Sequence, residues 1–204
     1  MSARVVGRRA AAALALALLA FAGCKLDARN DAVGVKDPPR FNLGRAATPA
    51  EIAAVDIDVS PNGAGLPPGS GTPEDGAKVF ATTCAVCHGA NGEGKAPAYP
   101  QLIGGPKGNV DFAADGTIPR TIGNYWPYAT TIYGYIRRAM PLTAPGSLTP
   151  DQIYAVTAYL LYREGIIPAG TRLDARSLAA VKMPERSHFV LDDRAGSTGG
   201  KNAR

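Results

Sequence analysis

Cys84-Ala85-Val86-Cys87-His88 is the stretch whose residue types and spacing could do chemistry. Two thiols at this spacing lie on one face of a helical turn, where they can add to the two vinyl groups of one porphyrin. His88 then faces the iron and can bind it through a ring nitrogen. This CxxCH is the attachment pattern of a c-type haem. A chance match, a redox CxxC and half of a zinc site are the competing readings. Zinc needs four ligands, and Cys24, Cys84, Cys87, His88 and His188 are all that the chain offers. A thioredoxin-like CxxC belongs in a βαβ pattern, and none is visible. The sequence therefore implies one covalent haem c, and the remaining elements must position one iron.

Thr72-Pro73-Glu74 starts a helix, with an N-cap, Pro at the first helical position and an acid in the first turn. Ala77, Phe80, Ala81 and Cys84 recur with helical period and form one apolar face leading into the motif. Gly76 lies one turn before Phe80. A glycine-rich loop, Gly89 to Gly94, follows His88, and Pro100, Gln101 and Leu102 come next. Residues 103–124 are rich in Gly, Pro and Asp and read as a loop over the haem edge. Tyr125-Trp126-Pro127-Tyr128 opens a further helix with an Ile132, Ile136, Ala139 stripe, Tyr135 beside it, and Arg137 and Arg138 at its negative end. Met140-Pro141 follows at once. Thr149-Pro150-Asp151-Gln152 is a capping box, and Ile153, Val156, Thr157, Leu160 and Leu161 run with helical period to a stop at Gly165.

Over residues 73–165 this pattern resembles the class I cytochromes c. The resemblance implies an all-α, class I cytochrome c fold, here with long irregular N- and C-terminal arms. It implies that Gly76 lets the first helix cross the last one closely, with Val156 and Tyr159 as the partners of Gly76 and Phe80. It implies that the Pro100 carbonyl accepts a hydrogen bond from His88, and that Leu102 packs on the porphyrin. It places the axial Met before the last helix, so Met140 is the expected partner of His88 on the iron and Met183, in Met183-Pro184, the competitor. A thioether is a soft ligand that raises the reduction potential. For a haem propionate, Trp126 or one of the Arg137/Arg138 pair is a candidate; equally, Trp126 can be core and the arginines solvated.

The N-terminus reads as an address. Arg4, Arg8 and Arg9 precede an apolar run from Ala10 to Ala22 that suits a signal-peptide core and is short for a membrane span. Phe21-Ala22-Gly23-Cys24 resembles a bacterial lipobox, so 1–23 is expected to be a lipoprotein signal peptide and Cys24 the acylated N-terminus. The mature protein would then sit in the periplasm, held at a bacterial membrane by this anchor alone. Residues 24–47 form a tether, which if flexible spans about 26 Å. Residues 48–71 open on a second capping box, Thr48-Pro49-Ala50-Glu51, which starts a short helix through about Val55, and continue as an arm that docks on a partner or wraps its own domain. The haem domain is 72–165. An arm and tail, 166–204, carries Leu173, Leu178, Val181, Phe189 and Val190, with disorder expected beyond Asp193.

The net charge is +5, and removal of Arg4, Arg8 and Arg9 leaves a chain near neutrality. No basic tract is interleaved with aromatics, so nucleic acid is not an expected partner.

A narrower resemblance covers more of the chain. Gly44-Arg45-Ala46-Ala47-Thr48-Pro49, Gly65-Leu66-Pro67-Pro68-Gly69, Tyr125 to Thr131, Arg138-Ala139-Met140-Pro141 and Lys182-Met183-Pro184 are similar to the cytochrome subunits of bacterial sulfite dehydrogenases and of the Sox sulfane dehydrogenase. That resemblance implies a molybdopterin-containing partner that oxidises a reduced sulfur compound, and a downstream cytochrome c or terminal oxidase. Some Sox members carry a second haem domain, whereas this chain has a single CxxCH. Three function classes follow: an electron-transfer subunit, a haem enzyme with a labile sixth ligand, and a haem sensor. An available Met ligand, with no spare His except His188 in the tail, disfavours the second, and the lack of a signalling domain disfavours the third. Service to another periplasmic dehydrogenase is the alternative within the first.

Overall fold

The structure is a computed structural model that describes Phe41, 43–108 and 110–190. The signal peptide, Cys24, most of the tether and the tail beyond Val190 lie outside the described residues. The chain divides into Met1–Ala46, of which Phe41 and 43–46 are described and exposed, and Ala47–Arg204. Among the described residues no helix is long and apolar enough to cross a membrane.

The second unit is mainly helical. Its helices are α1 (Pro49–Val55), α2 (Pro73–Val79), α3 (Ala85–His88), α4 (Ile122–Tyr125), α5 (Ala129–Ala139), α6 (Pro150–Arg163) and α7 (Ala175–Ala179), with a 3₁₀ turn at Pro184–His188. Strands β1 (Ser70–Gly71) and β2 (Leu173–Asp174) pair antiparallel, Ser70 opposite Asp174 and Gly71 opposite Leu173. The start signals act as sequence chemistry requires. Thr48, Thr72 and Thr149 each accept a hydrogen bond from the amide three residues on, and each is followed by a proline that needs no donor. Helix α6 ends in a Schellman motif. Gly165 takes φ +73°, its N–H donates to Tyr162 and that of Ile166 to Leu161, both at 2.9 Å.

The core is built where α2 crosses α6. A Cβ on Gly76 would collide with the carbonyl of Ala155 and lie 2.7 Å from Tyr159 Cβ. Only glycine permits this approach. The crossing partner is therefore Ala155, where Val156 was expected; Val156 is buried in the core beside it. Phe80 does meet Tyr159, with ring centroids 5.1 Å apart. Tyr133 of α5 and Tyr154 of α6 close the other side at 4.5 Å.

The helix leading into the motif is not continuous. Phe80–Cys84 forms a π-helical turn in which Ala85 N–H donates to Phe80 O, one residue further back than in an α-helix. The extra residue shifts the phase, so Ala81 faces solvent although its spacing places it on the apolar face. Nor does Tyr125 to Tyr128 run into a single helix. Trp126 is extended because Pro127 disfavours helical geometry before it, Tyr128 is extended as the N-cap of α5, and together they link α4 to α5.

Both arms lie on the domain over much of their length. Val59 is buried against the bare Gly134 of α5. Thr130 Oγ1 donates to Pro61 O at 3.1 Å, and Tyr154 Oη to Pro67 O at 2.9 Å. At the other end Leu173, Leu178 and Met183 enter the core. Helix α1 differs: none of its residues is buried.

Candidate functional site

The π-helical turn hands the chain to α3, which carries the motif. Cys84 and Cys87 are half-buried, Val86 between them is exposed and His88 is buried. Burial pushes the Cys84 thiol up to about 11, with Cys87 adding to the effect, so the thiol is neutral at pH 7. Gly89 N–H closes α3 onto Ala85 O, then takes φ +80° and turns the chain out.

The loop that follows folds back on His88. Gly94 N–H donates to His88 O at 2.7 Å. His88 Nδ1 lies 2.9 Å from Pro100 O. A carbonyl can only accept, so Nδ1 carries the proton and Nε2 is left with its lone pair free for a metal. Leu102 is half-buried against the core, with its N–H on Gly92 O and its carbonyl receiving Ile122 N–H of α4.

Met140 ends α5, its N–H on Ile136 O at 3.0 Å, and its half-buried side chain packs against the core. Met183 is buried within that core. Trp126 and Arg138 have partners within the chain. Trp126 Nε1 donates to Thr131 Oγ1 at 2.8 Å, and its ring meets Tyr135 edge-on at 5.7 Å. Arg138 faces Asp58 at 3.8 Å, and Arg137 donates to Ile57 O and Gly65 O. Both arginines thus point at the N-terminal arm.

Four residues that support the site carry no sequence signal. Gln101 Nε2 donates to the carbonyls of Ile103 and Gly104 at 2.9 and 2.8 Å, shaping the loop after Pro100. Glu164 is buried at the end of α6 and accepts Gly104 N–H at 2.9 Å. Gly123 of α4 lies so close to that carboxylate that a Cβ would strike it. Glu164 thereby fastens the loop and α4 to α6. Lys95 donates to Val86 O at 2.7 Å. On the far side of α4, Arg120 stacks on Phe112 and Tyr125, and Tyr125 meets Phe189 at 5.6 Å.

The donor set fits a haem c. Two thiols one turn apart can form thioethers, an imidazole presents Nε2 with its tautomer fixed, and a thioether side chain ends α5. Cys84, Cys87, His88 and Met140 are the residues that could hold it.

The cytochrome c family matches the chain over residues 73–164. A chain in the crystal structure of the sulfane dehydrogenase SoxCD from Paracoccus pantotrophus is 39% identical, with a TM-score of 0.65, covering 78% of this chain and 76% of that one. A chain of the thiosulfate dehydrogenase TsdBA from Marichromatium purpuratum is 29% identical with a TM-score of 0.33, over 44% of this chain and 17% of that one. No curated protein sequence matches the chain.

Proposed function

The chain belongs to the cytochrome c family, whose members carry covalent haem c and transfer electrons, and on that premise we propose that it is the haem subunit of a molybdenum-containing sulfite- or sulfane-oxidising dehydrogenase. The observation that carries this reading is the extent of the SoxCD match. It takes in 78% of a 204-residue chain, about 159 residues, whereas the family's own match spans 73–164. The likeness therefore includes much of the arms, which an ordinary electron carrier does not need.

In this reading the chain holds one haem c. Cys84 and Cys87 would tether it through thioethers, and His88 through Nε2 and Met140 through its thioether sulfur would hold the iron. Bound haem supplies a reversible one-electron couple at iron. His88 donates its Nδ1 proton to Pro100 O, which fixes the ring and raises its basicity. Cys24 anchors the mature protein to a bacterial membrane on its periplasmic side, and electrons pass on to a downstream cytochrome c or terminal oxidase.

Purified holo-cytochrome, mixed with sulfite or a sulfane-sulfur donor, should stay oxidised. Addition of a molybdenum-containing sulfite or sulfane dehydrogenase from the same organism should reduce the haem within one turnover. If no such enzyme reduces it, the partner reading fails.

A further inference from the structure

Lys95 grips both sides of the His88–Pro100 hydrogen bond. Its side chain reaches α3: Nζ donates to Val86 O at 2.7 Å. Gly89 leaves helical geometry at φ +80°, so the next helical amide is not in place to serve that carbonyl, and the lysine serves it instead. A cation is well suited to the negative end of a helix, and a charge-assisted bond is stronger than a neutral one. The backbone of Lys95 reaches the other side. Its N–H donates to Tyr99 O at 2.9 Å and its carbonyl accepts Tyr99 N–H at 3.0 Å. Tyr99 is followed by Pro100, whose carbonyl receives the His88 Nδ1 proton.

We propose that Lys95 is a positioning residue: its bond to Val86 holds the helix carrying His88 against the loop carrying the Pro100 carbonyl, and so sets the basicity of the imidazole. The inference rests on ligation by His88, as in the reading above. Lys95 is exposed, and its stem starts from a backbone already pinned by Tyr99 and by Gly94 N–H on His88 O, which reduces the freedom lost in forming the bond.

Positioning and simple charge act with opposite signs. A more basic imidazole favours ferric iron, so loosening the His88–Pro100 bond should raise the reduction potential. Losing a nearby positive charge favours the more positive ferric state and should lower it. Lys95→Met separates the two, and Lys95→Arg keeps the charge and a donor. The readouts are the potential of the holo-protein and the exchange rate of the His88 Nδ1 proton by NMR. The expected result is a higher potential and about fivefold to tenfold faster exchange in Lys95→Met, with Lys95→Arg close to wild type. A lower potential with unchanged exchange, or no change in either, overturns the proposal. If Lys95→Met does not accumulate with haem, Lys95→Gln decides by the same signs. A His88 ring without the shifts caused by bound iron in the wild-type protein would remove the ligation reading, and this inference with it.

Discussion

Met140 and Met183 stand in identical Met-Pro dipeptides but occupy different environments: Met183 is sealed in the core at 5% exposure, while Met140 is half-buried at the end of α5. Two substitutions should therefore behave differently. Met140→Ala should open the sixth iron position, abolish the sulfur-to-iron charge-transfer band of the oxidised spectrum and lower the potential. Met183→Ala should leave that band in place and destabilise the fold by about 2–5 kcal/mol, as expected for emptying a core site. Denaturant titration together with the oxidised spectrum checks both, and an exchange of the two phenotypes would sink the assignment.

Gly76 has no room for a side chain over the Ala155 carbonyl. Gly76→Ala gains helix propensity but forces α2 away from α6, and overpacking of this kind costs about 1–3 kcal/mol. A drop in the urea midpoint with unchanged slope is the expected signature. A stabilised variant would show that the crossing is looser than described.

Burial pushes the Tyr154 hydroxyl from 10.0 up to about 12, and that of Tyr133 up as well. A raised folded value means that the stabilisation is complete below the unfolded value and is lost as pH rises through the folded one. Alkaline unfolding, followed by far-ultraviolet circular dichroism, should therefore steepen between about pH 10 and 12. Tyr154→Phe cannot ionise and should flatten that region. It should also weaken the fold by about 1 kcal/mol at neutral pH, through loss of the bond to Pro67 O.

The N-terminal arm has two parts. Removal of 48–55 should leave the haem spectrum and thermal midpoint unchanged, because α1 has no buried residue. Val59→Ala, in the part packed on α5, should cost about 1–3 kcal/mol. Equal effects from the two changes would contradict this division.

Cys24→Ser should release the mature cytochrome from membranes with haem attachment intact. An unmodified N-terminus on wild-type protein, seen by mass spectrometry, would rule the anchor out.

Patterns closed within a few residues were legible in the sequence. The three threonine caps and the stop at Gly165 are short-range arrangements, set by backbone donors and acceptors close along the chain, and the CxxCH is contiguous. The role of Pro100, 12 residues after His88, was legible only through the resemblance to class I cytochromes c. Periodicity also marked α5 and α6 as core helices. Contacts with no local signature were decided by the tertiary structure. The π-helical turn departs from the regular period that places Ala81 inward. Arg138 looks, in sequence, as free to meet a propionate as to be solvated; only the return of the arm brings Asp58 to it. Strand β2 and helix α7 are too short for a periodic signal, and they form because Leu173 and Leu178 find a core already built by α2 and α6. Glu164 is an ordinary polar residue at a helix end until Gly104, 60 residues earlier, brings an amide to its carboxylate. Burial makes such a bond matter, since a buried carboxylate without a donor is costly. Which residues become buried together is a property of the assembled chain.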